Sequence, residues 1–177
     1  MDEMKQLYVL EWFGPYKSVE DLWEDGRTSD CSIYLITGRE KYERTIGYIK
    51  YVGITERDVA IRLKDKDHLE KQSKLLNKKY WSARFSRTPK TKFRNHVELI
   101  ETLFVRFLFL QNVHIINCKK LKQTPKCPVT VLNRWNTKSL ESHRLHKPSV
   151  LNVLPDVLMF DGSDYWGAGK LNRYISE

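Results

Sequence analysis

Apolar residues change their spacing several times along the chain, and each change marks an element. Leu7-Tyr8-Val9-Leu10-Glu11-Trp12-Phe13 reads as a strand, closed by the turn signal Gly14-Pro15-Tyr16. Ser18 then precedes Glu20, Asp21, Leu22 and Trp23, the signature of a short capped helix with acid in its first turn. Residues 33–38 and 46–54 are rich in β-branched and aromatic side chains and predict an antiparallel pair, joined by a charged connection. Val59, Ile61, Leu63 and Leu69 follow with helical punctuation. Residues 80–85 alternate so that Trp81, Ala83 and Phe85 share one face of a third strand. The strongest periodic signal lies within 93–110. There Val97, Ile100, Phe104, Phe107 and Leu108 recur at three- and four-residue spacing, the stripe of an amphipathic helix. Beyond it, 113–118 and 129–132 predict strands and 140–145 a weak helix. The run 157–160 ends at the turn Asp161-Gly162, and Trp166, Leu171 and Tyr174 offer surface for packing back on the core.

One residue breaks this pattern. Glu101 falls among Val97, Ile100, Phe104 and Leu108, on the apolar stripe, whereas Glu98 sits nearer the polar flank. A carboxylate on a buried stripe is costly unless it is paired or bound to a metal. An ion pair with an arginine of a neighbouring element and a metal-ligand role both remain open at this point.

Charge narrows the partners. The 177 residues carry a net charge of +9 with 41% hydrophobic residues, a folded chain that favours polyanions, nucleic acid first and an anionic membrane surface second. Basic residues concentrate between 64 and 94. Lys64, Lys66, Lys78, Lys79, Arg84 and Arg87 are candidate nucleic-acid contacts there, with Tyr80, Trp81 and Phe85 interleaved for stacking. Lys119, Lys120, Lys122 and Lys126 form a second basic stretch. The plain alternative is a solvated charged face. No apolar run is long enough to span a bilayer, so no membrane partner is expected. The start lacks a basic, then apolar leader, which makes the cytoplasm the expected compartment. Three cysteines, Cys31, Cys118 and Cys127, offer neither a disulfide framework nor a paired zinc motif.

Four features in order then suggest a chemistry: Ser32-Ile33-Tyr34, Tyr51-Val52-Gly53, Arg62 after the run that starts at Thr55, and Glu101 in its apolar helix. Over residues 31–133 this order resembles the GIY-YIG nuclease family, named for its two strand tripeptides. The resemblance implies that Tyr34 and Tyr51 set their hydroxyls near a water and a phosphate. It implies that Arg62 neutralises the phosphate, a role suited to a planar, permanently charged fork. Glu101 would hold a single Mg²⁺ (or Mn²⁺), an ion that prefers oxygen ligands and retains waters. His68 would act as base or orienter, and an asparagine would brace the site. Asn133 fits that last role by its local context after Pro128, Asn112 by its distance from Glu101, and the choice stays open. Three departures stand out: Ser32 replaces the first glycine, the tyrosine-to-tyrosine interval is long, and His68 lies far beyond Arg62.

The expected architecture is an α/β (α+β) domain with a small, mainly antiparallel three-stranded sheet flanked by helices. Residues 1–30 would form an N-terminal extension, 31–135 the core, and 136–177 a C-terminal extension packing on it. The expected activity is metal-dependent hydrolysis of phosphodiester bonds in DNA, with RNA open as a substrate and no signal for an oligomeric state. The alternative is an inactive module that grips nucleic acid or a protein. A chance match would instead leave Tyr34, Tyr51, Arg62 and Glu101 apart in space.

Overall fold

The computed structural model describes residues 5–44, 48–136 and 149–168. Its strands are β1 (Gln6–Tyr16), β2 (Ile33–Glu40), β3 (Tyr48–Ile54), β4 (Leu75–Phe85), β5 (Val129–Trp135), β6 (Val157–Phe160) and β7 (Tyr165–Ala168). Its helices are α1 (Val19–Glu24), α2 (Val59–Leu63), α3 (Lys66–Ser73) and α4 (Phe93–Leu110). Ser18 caps α1 by accepting from the Asp21 N–H, and Asp58 caps α2 by accepting from the Ala60 N–H.

All strands join one seven-stranded, curled sheet in the order β3-β2-β4-β1-β5-β6-β7. It is mixed, because β1 runs parallel to β5 while the other pairs are antiparallel. This corrects the expectation of a small three-stranded sheet flanked by helices. The reason is the placement of β1. Its Leu10 and Trp12 pair with Phe85 and Ala83 of β4 on one side and with Asn133 and Trp135 of β5 on the other. The two apolar runs that bracket the central motif therefore pair with each other inside the sheet. The expected turn at Gly14-Pro15 is instead a bulge within β1, between Phe13 and Tyr16. Gly14 adopts φ +136°, and a Cβ there would stand 2.8 Å from the Tyr80 carbonyl oxygen, so glycine is needed on both counts.

Strand alternation sorts the side chains onto two covered faces. Leu10, Trp12, Ile33, Leu35, Val52, Trp81 and Ala83 share a core with the α4 stripe of Val97, Ile100, Leu103, Phe104 and Leu108. Phe13, Tyr34, Ile36, Tyr51 and Tyr80 face the other way, onto Leu22 of α1 and Val59 and Leu63 of α2. Burial on both faces explains why β2 reads as a continuous apolar run. Residues 113–118, expected as a strand, lie outside the sheet. They run along the edge of β3, where the Ile116 N–H donates to the Lys50 carbonyl at 2.7 Å. Residues 46, 140–145, 171 and 174 lie outside the described residues. Among those described, no helix is long and apolar enough to cross a membrane.

Candidate functional site

Tyr34 of β2 stands opposite Gly53 of the edge strand β3. Its ring lies across Gly53 and so reaches the rim of the sheet. A Cβ at Gly53 would be 2.5 Å from Tyr34 Cε2, with Cζ and the hydroxyl oxygen nearer still. Tyr51 precedes Gly53 by two positions and therefore shares its face; the two tyrosine ring centroids are 6.0 Å apart. His68 arrives from α3 and packs edge-on against both rings, 5.9 Å from Tyr34 and 5.5 Å from Tyr51. Its nitrogens lie 3.4 and 3.3 Å from the Tyr34 hydroxyl oxygen, and its side chain is 1% exposed. Burial, then the nearby Arg62 charge, lowers the His68 pKa to about 4, so the imidazole is neutral at neutral pH.

Arg62, in α2, bonds Asp65 at 2.5 Å and reaches Asp67 at 3.5 Å while remaining 30% exposed. Glu101 comes from α4, on the far side of the sheet edge, and is 15% exposed. Its Oε2 accepts from Lys120 Nζ at 2.6 Å, and the same ammonium donates to the Glu98 carbonyl at 3.3 Å. The stripe carboxylate is thus paired, by a lysine from the following loop rather than by an arginine.

Tyr34, Tyr51, Arg62, Glu101, Asn117 and Lys120 line one cavity of about 730 Å³. Arg57, Lys71, Arg94 and Lys119 add to its walls, against Glu56, Asp67 and Glu98, so positive charge is in excess. Lys71 Nζ lies 5.4 Å from the centre of the Tyr51 ring. Burial raises the Tyr51 pKa to about 12, with Glu101 pushing the same way and Arg62 opposing. Burial also pushes Tyr34 far above the usual phenol range. Both hydroxyls are therefore protonated at neutral pH. A cation against Glu101 would reverse that residue's contribution and ease deprotonation.

No protein-family model, curated protein or solved structure matches the chain. What the site can do rests on its own geometry. A divalent metal here would take its protein ligand from Glu101, in competition with Lys120. Lys120 holds Oε2, and Oε1 has no hydrogen-bond partner among the described residues. No group of three His, Cys, Asp or Glu side chains converges among them, so the protein would offer a metal a single carboxylate. Mg²⁺ or Mn²⁺ suits that arrangement, since such ions keep several waters and take a further oxygen from a phosphate.

Neither expected asparagine lines the cavity. Asn133 is buried in β5, where it accepts from Trp12 Nε1 at 2.8 Å and donates to the Pro155 carbonyl at 2.9 Å. Asn112 is exposed just beyond α4, with φ at 56°. The asparagine that does line the cavity is Asn117. It accepts from the Val52 N–H at 3.0 Å and donates to the Val52 carbonyl at 2.8 Å, capping the open edge of β3 beside Tyr51 and Gly53. Nothing periodic marks Asn117 in the sequence; only its position between an apolar run and a basic stretch does.

The six candidate nucleic-acid contacts also lie outside the cavity lining. Lys64 faces Glu20 at 3.6 Å, and Lys78 donates to the Gln72 carbonyl. Arg84 is tied to Glu11 and Asp30 and lies over the Phe13 ring. Lys66, Lys79 and Arg87 are exposed. The cations that do line the cavity come from the loop after β3, from α2 and α3, from the first turn of α4, and from the 119–120 loop.

Proposed function

We propose that this chain is a metal-dependent endonuclease that hydrolyses phosphodiester bonds in DNA by a GIY-YIG-like single-metal mechanism. One observation carries the reading. Tyr34, Tyr51, Arg62 and Glu101, far apart in sequence, line one electropositive cavity, with neutral His68 packed behind both rings. Mg²⁺ or Mn²⁺ on Glu101 would supply charge to polarise the scissile phosphate and stabilise the leaving oxygen. Arg62 exchanges part of its contact with Asp65 for a non-bridging phosphate oxygen. The two phenols orient the attacking water. Neutral His68, close to the Tyr34 hydroxyl, orients that phenol.

A second reading has an observation of its own. Arg62 and Glu101 are each already held by an opposite charge, Asp65 and Lys120, as in a module that grips nucleic acid or a protein without cutting it. Incubation with supercoiled plasmid in Mg²⁺ and in EDTA separates the two, with structured RNA as a parallel substrate. Nicking or linearisation confined to Mg²⁺ supports the nuclease. Retarded but intact DNA in both buffers supports the module and overturns the nuclease.

A further inference from the structure

A second cavity, of about 790 Å³, adjoins the first: Glu98 and Lys120 line both. Its volume is that of a site for a whole ligand rather than a packing void. One wall is aromatic. Tyr8 and His96 meet edge to face with ring centroids 5.6 Å apart. His96 Nε2 lies 3.1 Å from the Thr91 carbonyl, which can only accept, so Nε2 carries a proton. The Tyr8 hydroxyl donates to Gln6 Oε1 at 3.2 Å and lies 2.5 Å from His96 Nδ1. Asn95 and Gln123 bring carboxamides to the same cavity, the neutral donor–acceptor groups that pair with base edges. Lys122 and Lys126 also line it and make no ion pair among the described residues. The cavity therefore combines the rim of a packed aromatic pair, neutral edge-reading groups and cations beside the residues that surround Glu101.

We infer that this second cavity is a subsite for an unpaired nucleobase of the strand whose phosphate lies at Glu101. The inference rests on the nuclease reading and sharpens it: the preferred substrate is DNA with an extrahelical or unpaired nucleotide beside the cleavage position. A stacked, paired base keeps its edge inside the duplex and cannot enter a concave cavity, whereas a base already out of the stack enters without the cost of unpairing. The flanking phosphates then meet Lys122 and Lys126.

Binding is measured in EDTA, so that cleavage does not intervene, by fluorescence anisotropy of a labelled duplex with a single-nucleotide bulge and of its fully paired counterpart. The wild type is expected to bind the bulged duplex about tenfold more tightly, the scale of one base–aromatic stacking contact. Thr124→Trp fills the cavity from an exposed wall position and reduces the preference below about twofold. It leaves paired-duplex affinity unchanged, and Thr124→Ser keeps the preference. Equal binding of the two duplexes by the wild type overturns the inference. So does a preference that survives Thr124→Trp, or a Thr124→Trp loss that is equal for both duplexes. Where Mg²⁺-dependent nicking persists without any preference, this inference fails alone. Where neither DNA binds and no DNA is cut, the nuclease reading fails with it.

Discussion

Replacing Gly53 with alanine acts on the site through one ring. Gly53 lies in regular strand beside Tyr34, and what it supplies is space. The added methyl would stand 2.5 Å from Tyr34 Cε2, where ordinary contact begins near 3.4 Å, and the ring's outer atoms are closer than Cε2. The ring must therefore retreat by about 1 Å or more. It has little room, being 1% exposed and packed against Tyr51 and His68. Overpacking of this kind costs about 1–3 kcal/mol of stability. A displacement of about 1 Å at a catalytic hydroxyl lowers the rate by about 10²-fold. Urea denaturation and single-turnover cleavage of a labelled duplex read the two effects separately. The control is the same change in a Tyr34→Ala background. There the methyl meets no ring, and Gly53→Ala becomes neutral or stabilising by about 0.5–1 kcal/mol, because glycine is disfavoured within a strand. Wild-type stability and rate in the single variant would refute the reasoning. So would a stability loss that persists without the Tyr34 ring.

Three further outcomes are expected. Asn133→Ala strips partners from Trp12 Nε1 and the Pro155 carbonyl, so urea denaturation should show a loss of about 1–3 kcal/mol while cleavage per folded molecule is unchanged. His68 has a folded pKa near 4 against 6.5 unfolded, so its contribution is complete above pH 6.5 and lost as pH falls towards 4. Stability should drop by about 2 kcal/mol between pH 7 and 5 from this residue, and His68→Gln should remove that part of the slope. Lys120→Met releases the Glu101 carboxylate from its ion pair, and the Mg²⁺ concentration for half-maximal cleavage should fall several-fold; an unchanged or higher requirement would mean that Lys120 does not compete with the metal.

Local periodicity made much of the structure legible. α4 follows from its stripe, α1 from the Ser18 cap, and the shared face of Trp81, Ala83 and Phe85 from alternation. Strand order was not legible, because the parallel pairing of β1 with β5 joins runs more than a hundred positions apart and leaves no local trace. The bulge at Gly14-Pro15 misled for a related reason: the dipeptide reports a special backbone, which here lies inside a strand. Glu101 could be singled out because a carboxylate on an apolar stripe demands a partner, but its partner, Lys120, sits in an irregular loop. Asn133 looked like a site residue only because its apolar context is that of a buried strand, where an asparagine serves Trp12 instead. Asn117 acts by imitating a strand's backbone pairing, which no spacing rule reveals.

The central claim is that Glu101 holds the metal that makes this cavity hydrolytic. It is tested most directly by comparing Mg²⁺-dependent plasmid nicking and metal-free DNA binding for the wild type and Glu101→Ala. The account predicts that Glu101→Ala loses nicking by at least about 10³-fold, as EDTA does, while DNA affinity is retained or rises with the loss of a negative charge. Nicking that survives Glu101→Ala, or DNA retardation without nicking by the wild type, would contradict it.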